Sequence, residues 1–63
     1  SLFGEILLEL GLVNEDQLRQ ALEIQRSQDG AKQLGEILIE MGVLTTQQIM
    51  QAAEEQAQRK GSS

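Results

Sequence analysis

Two pairs of glutamates come closest, by type and spacing, to a set of catalytic or metal-binding groups. Glu5 and Glu9 lie four residues apart, and Glu36 and Glu40 repeat the pair further along the chain. At this spacing two side chains share one face of a helix, where carboxylates can serve acid–base chemistry or bind a metal ion. Either use calls for histidines or a buried environment, and the chain has no histidine and no cysteine. We therefore interpret the glutamates as a solvated acidic face and the chain as non-enzymatic, without a catalytic or metal site.

These glutamates belong to a tandem duplication. Residues 2–25 read LFGEILLELGLVNEDQLRQALEIQ, and residues 33–56 read QLGEILIEMGVLTTQQIMQAAEEQ, so that equivalent positions differ by 31. Most pairs are identical or exchange one apolar residue for another. Internal repeats of this kind indicate a supersecondary unit that is used twice.

Glycine and glutamine recur at four positions that the folding pattern does not fully explain. Gly4 and Gly35 fall in the opening turns of predicted helices, where glycine costs about 1 kcal/mol relative to alanine. They indicate either close packing of helices across a pseudo-twofold axis or a ligand lying against the backbone. Gln25 and Gln56 each close a repeat. They are either solvent-facing or engaged in a semi-buried hydrogen bond.

The sequence predicts one all-α domain over residues 1–60. Proline is absent and strong helix formers dominate. Phe3, Ile6, Leu7 and Leu10 follow the i, i+3, i+4, i+7 spacing of a buried helical stripe. We expect a four-helix unit made of two helix-turn-helix hairpins with pseudo-twofold symmetry, and we interpret residues 61–63 as a linker or tag remnant. The predicted helices cover residues 2–10, 15–28, 32–41 and 46–60.

Local end signals agree in both repeats. Gly11 occupies the C′ position at which a helix ends in left-handed geometry, and Gly42 is its counterpart. Asn14 and Gln17 have capping-box spacing at the start of the next helix. Thr45 and Gln48 repeat it in the second copy.

Charge and composition exclude several classes of function. The net charge is −5 at pH 7, whereas a nucleic-acid footprint needs clustered lysine and arginine. A single aromatic residue cannot form a stacking platform for bases. No apolar run approaches the roughly 20 residues of a membrane helix. We therefore expect no nucleic-acid partner, no direct membrane insertion and a cytoplasmic location.

The two repeats resemble the N-terminal domain of type II secretion and type IV pilus assembly ATPases, the MshEN-type domain. The family motif reads RLGxxLxxxGxxxxxxLxxxLxxQ, and both copies here hold its glycine, leucine and glutamine spacing. Some members of this family bind cyclic di-GMP across the two motifs. Carried over position by position, the resemblance implies a ligand site formed by Phe3, Gly4, Leu18, Leu22, Gln25, Leu34, Gly35, Ile49 and Gln56.

This chain departs from the family motif at three positions that matter for such a ligand. The two motif arginines are replaced by Leu2 and Gln33, and one helix leucine is replaced by Ala53. Arginine presents a planar fork of donors that suits a guanine edge or a phosphate. Lys32, one residue away from Gln33, would point about 100° around a helix from the motif position.

The leading hypothesis is a regulatory, protein-interaction module of a bacterial secretion or pilus motor ATPase, or of a related signalling protein. Its partner would be a protein, such as the membrane platform of the machine, and a homodimer is compatible with the sequence. The alternative hypothesis is a sensor that binds cyclic di-GMP; otherwise no cofactor is expected. Apolar residues that lie off the predicted stripes would form the docking patch: Leu8, Ile24, Ile39 and Met50.

Overall fold

The computed structural model describes residues 2–61. Within this range it contains four helices and no strand, which confirms the predicted all-α class. No helix in the same range is both long enough and apolar enough to cross a bilayer. Residues 1, 62 and 63, which the sequence analysis assigned to the domain and to a tail, lie outside the described residues. The helices are α1 (Leu2–Glu9), α2 (Glu15–Ser27), α3 (Leu34–Glu40) and α4 (Thr46–Gly61).

Helix boundaries differ from the prediction by one or two residues at most ends. The prediction that α3 begins at Lys32 was wrong: Gln33 is the N-cap residue, with extended backbone angles of φ −75° and ψ 153°. The fourth helix ends one residue later than predicted, since α4 includes Gly61. Shifts of this size are ordinary for helix termini, which fray and end in single turns.

The two short helices end as predicted. The amide of Leu12 donates to the carbonyl of Leu7 at 3.0 Å, and the amide of Gly11 donates to Leu8 at 3.0 Å. This pair of bonds defines a Schellman motif, which requires a left-handed residue at C′. Gly11 has φ +72° and supplies it without strain. Gly42 repeats the motif at the end of α3 with φ +78°.

Both long helices begin with a reciprocal capping box. In α2 the amide of Gln17 donates to the Asn14 side chain at 2.8 Å, and the amide of Asn14 donates to the Gln17 side chain at 3.0 Å. In α4 the amide of Gln48 donates to the Thr45 hydroxyl at 3.2 Å, and Thr45 returns a bond to the Gln48 side chain at 2.9 Å. The predicted helix starts are therefore confirmed, and each turn is fixed by its own side chains.

The core is almost symmetric between the repeats. Its most buried members occur in pairs at equivalent positions: Ile6 and Ile37, Leu7 and Leu38, Val13 and Leu44, and Ala21 and Ala52. Leu34 is buried as well, whereas its counterpart Phe3 is half-buried. The apolar stripes of α1 and α3 therefore meet in one shared centre, and neither hairpin has a separate core.

The closest helix pairs cross between the repeats. Helix α1 packs mainly against α4, and α2 packs mainly against α3. The two hairpins are therefore interlocked rather than simply stacked. Because each short helix is covered by the long helix of the other repeat, one hairpin alone would leave its apolar face exposed to water.

Leu10 does not belong to the buried stripe. It lies one residue beyond α1 and is 36% exposed, so its predicted core position was wrong. The Schellman turn begins at this point and redirects the chain, and the buried residue on the far side of the turn is Val13. Ala53 and Ala57 of α4 are exposed too.

Leu38→Ala should reduce the free energy of unfolding by about 2–5 kcal/mol, because Leu38 is fully buried and the substitution leaves a cavity. Ile39→Ala is the matched control, since the neighbouring Ile39 is exposed and should change stability by about 0.5 kcal/mol or less. Urea denaturation followed by circular dichroism measures both. Equal losses for the two variants would contradict the assigned core.

Candidate functional site

A cleft of about 330 Å³ lies beside the second repeat. This volume is at the lower end of the range of small-molecule sites. Residues from all four helical segments or their caps contribute to it. The residues that line it are Phe3, Gln25, Gln33, Leu34, Gly35, Ile49, Ala53 and Gln56.

One wall of the cleft is set by the approach of α4 to the backbone of α3. A Cβ atom placed on Gly35 would lie 3.2 Å from Cδ1 and 3.3 Å from Cγ2 of Ile49. These distances are shorter than ordinary carbon–carbon contacts. Gly35 is therefore glycine because the Ile49 side chain rests on the helix backbone at this point.

The first repeat contains the same contact. A Cβ atom on Gly4 would lie 3.3 Å from Cδ1 of Leu18. The recurring glycines therefore reflect close packing of helices, which was one of the two interpretations of the sequence. The expectation that this packing crosses the pseudo-twofold axis was wrong, because each glycine meets the long helix of its own repeat. The contact also leaves Gly35 at the edge of the cleft.

The first repeat contributes Phe3 and Gln25 to the cleft. Phe3 reaches it because α1 packs against α4. Gln25 lies near the end of α2, and its Nε2 donates to the backbone carbonyl of Lys32 at 3.1 Å. This half-buried bond ties the connection between the repeats to α2. It supports the semi-buried alternative for Gln25.

The lining of the cleft carries no charged side chain among the residues that the structure describes. Nearby cations are held elsewhere. Lys32 Nζ bonds Glu40 Oε2 at 2.6 Å, and Arg59 bonds Glu9 at 2.6 Å and Glu55 at 3.1 Å. The hydrogen bonds that Arg59 donates to Glu9 and then to Glu55 raise the pKa of Arg59 above its ordinary value. Arg59 is therefore a permanent cation within an ion-pair network.

All four glutamates, Glu5, Glu9, Glu36 and Glu40, are exposed, as the predicted solvated acidic face requires. Two of them also form ion pairs. Glu9 and Glu40 occupy equivalent positions at the ends of α1 and α3, and each pairs with a cation that follows or ends the long helix of the other repeat. Exposed ion pairs of this kind contribute little stability, but the pair of Arg59 with Glu9 joins α4 to α1.

The structure brings six of the nine residues in the predicted ligand set to the cleft: Phe3, Gln25, Leu34, Gly35, Ile49 and Gln56. Gly4, Leu18 and Leu22 belong to the equivalent position of the first repeat and do not line it. The predicted set omitted Gln33 and Ala53. Both were visible in the sequence as departures from the family motif, and that was the only signal that could have found them.

The four predicted docking residues differ in exposure. Leu8 is half-buried and packs against the core, so its place on an open patch was wrong. Ile24 and Ile39 are moderately exposed on α2 and α3, whereas Met50 on α4 is 64% exposed. Leu2 and Leu10 are further exposed apolar residues that the prediction missed.

Comparison with protein-family models, with curated proteins and with solved structures finds no match for this chain.

The Gly35–Ile49 contact makes a testable difference to stability. Gly35→Ala should fail to give the stabilisation of up to about 1 kcal/mol expected from helix propensity, because the added methyl group meets Ile49. In an Ile49→Ala background the same substitution should become stabilising. A double-mutant cycle by urea denaturation measures the coupling, which we expect to be at least about 0.5 kcal/mol. Additive effects would show that Ile49 does not rest on Gly35.

Proposed function

We propose that this chain is a non-catalytic module that docks a protein partner, and that α4 and the adjoining cleft form the docking face. The observation that carries the proposal is Met50, the most exposed large apolar residue of the described chain. Exposed apolar surface beside a formed cleft is typical of protein and ligand contact sites.

The surroundings of Met50 extend this face along α4. Ala53 and Ala57 follow it at i+3 and i+7, so the three residues share one side of the helix. All three are exposed, and Ala53 also lines the cleft. The apolar surface therefore runs from Met50 into the cleft, where it meets Ile49 and Phe3.

Charge indicates what kind of partner would approach. The chain carries a net charge of −5, and Glu54 is exposed on α4 next to Ala53. Protein interfaces combine an apolar centre with a polar rim, and complementary charge speeds association. A partner with lysine or arginine around an apolar contact would fit this face.

The resemblance of the tandem motif assigns the partner to a class. In the MshEN-type reading, the chain is a cytoplasmic regulatory module of a bacterial secretion or type IV pilus motor ATPase, and the partner is the membrane platform of that machine. A homodimer of the module is compatible with this arrangement. Under the same reading, Ile24 and Ile39 are secondary contact residues.

The docking face can be tested by titrating labelled protein with the cytoplasmic domain of a secretion or pilus platform protein. Amide and methyl resonances of Met50, Ala53 and Ala57 should shift, and Met50→Gln should weaken binding at least about tenfold, as for an interface anchor. Gln51→Ala is the control, since Gln51 is exposed on another side of α4. Shifts confined to Leu8, Ile24 or Ile39, or no shifts at all, would contradict the proposed face.

Binding of cyclic di-GMP is the second candidate function, because the cleft gathers ligand-set residues from both repeats. Electrostatics disfavour it. Neither motif arginine is present, Lys32 is paired with Glu40, and the lining is uncharged among the described residues. A dianion would lose hydration in the cleft without gaining a counter-charge.

We expect isothermal calorimetry with cyclic di-GMP to show no binding at micromolar concentrations. Gln33→Arg, which restores the motif residue at the edge of the cleft, should create or strengthen binding by adding a charged fork. Gln47→Arg adds the same charge outside the cleft lining and serves as the control. Micromolar binding by the unsubstituted chain that is lost in Gln56→Ala would make the nucleotide sensor the better proposal.

A further inference from the structure

The cleft lies where the two repeats differ in side-chain size. Ala53 lines it, and the equivalent residue of the first repeat is Leu22. Leu22 is half-buried and packs against the core, whereas Ala53 is exposed. The neighbouring contacts, Gly4 with Leu18 and Gly35 with Ile49, are alike in both repeats. Gln33 in place of Leu2 is a second difference at the lining, but it lies at the N-cap of α3. The smaller side chain of Ala53 is therefore the difference on α4 that leaves space there.

Three carboxamides surround this space, from Gln25, Gln33 and Gln56. Each carboxamide offers two N–H donors and one carbonyl acceptor. Gln25 uses one donor on the Lys32 carbonyl, and its oxygen remains available. The side chains of Gln33 and Gln56 make no hydrogen bond to another residue within the range 2–61. The lining therefore combines donors and acceptors with the apolar side chains of Phe3, Leu34 and Ile49, which are called the apolar floor below.

We propose that this cleft binds an uncharged peptide segment that inserts an amide-bearing side chain, glutamine or asparagine, beside an apolar one. The inference rests on the proposed function, because the segment would belong to the docked partner. An amide group pairs a donor with an acceptor and so matches the three glutamines. The adjacent apolar side chain would cover the floor and extend toward Met50.

Charge sets the specificity of the site. A carboxylate or ammonium group placed among the glutamines would lose hydration and meet no opposite charge in the lining. The chain as a whole is acidic, so a long-range field alone would favour a cationic ligand. A preference for a neutral ligand over a cationic one would therefore result from the uncharged lining of the cleft and not from the net charge of the chain.

Three capped dipeptides test the proposal: acetyl-Leu-Gln-amide, acetyl-Leu-Glu-amide and acetyl-Leu-Lys-amide. Each is titrated into labelled protein at neutral pH and about 0.15 M salt, where screening is strong. The side-chain amide resonances of Gln25, Gln33 and Gln56 report on the cleft. We expect the glutamine peptide to bind about tenfold more tightly than either charged peptide, because those leave polar groups unpaired. Equal binding, or tightest binding of the lysine peptide, would overturn the proposal.

Ala53→Leu should abolish the shifts caused by the glutamine peptide, since it places in the second repeat the side chain that the first repeat has. Gln51→Leu adds a leucine on another side of α4, outside the lining, and should change the affinity by no more than about twofold. Gln56→Met keeps the side-chain length and removes the amide. It should bring the affinities of the three peptides together, and retained selectivity in this variant would contradict the role of the carboxamides.

Failure of this inference differs from failure of the proposed function. A platform domain that shifts Met50 while no peptide shifts the three glutamines would refute the cleft chemistry and leave the docking face in place. Peptide binding at the cleft without any platform binding would support the chemistry and refute the assignment of the partner.

Discussion

The rest of the structure depends on the contact of a branched side chain with a glycine backbone, made once in each repeat. Ile49 rests on Gly35, and Leu18 rests on Gly4. The contact holds a short helix close to the long helix of its own repeat. A Cβ atom at either glycine would press on the branched side chain. Each short helix also packs against the long helix of the other repeat. The side chains that become completely buried are Ile6, Leu7, Ile37 and Leu38. A chain of 63 residues has few other ways to exclude water from so much of its apolar surface.

The same contact determines where the cleft lies. Gly35 and Ile49 both line it, and the packing of α1 on α4 brings Phe3 into the same lining. Duplication made the framework nearly symmetric, and the largest change in apolar side-chain size at the cleft is Ala53 in place of leucine. At equivalent positions the larger Leu22 packs on the core and the smaller Ala53 faces the cleft. Leu22 therefore contributes to the core, whereas its counterpart Ala53 shapes the site.

Much of the fold could be predicted because its signals are local. Asn14 with Gln17 and Gly11 with Leu12 act within six residues of each other, and the structure contains the bonds that their types require. Contacts between distant segments could not be predicted in this way. The ion pair of Arg59 with Glu9 joins residues 50 apart, and the pairing of α1 with α4 depends on which faces meet. The cleft depends on Ala53 lying near Gln33 and Phe3. These residues are far apart in the sequence, so their proximity could not be predicted from local signals.

The central claim is that the difference between Leu22 and Ala53 opens the cleft in the second repeat. A crystal structure of the double variant Leu22→Ala, Ala53→Leu tests it most directly, because the exchange keeps composition and net charge constant. The introduced leucine should fill the space beside Gly35 and Ile49, and an equivalent cleft should form beside Gly4 and Leu18. A cleft that remains open beside Gly35, with the space beside Gly4 still filled, would contradict the account.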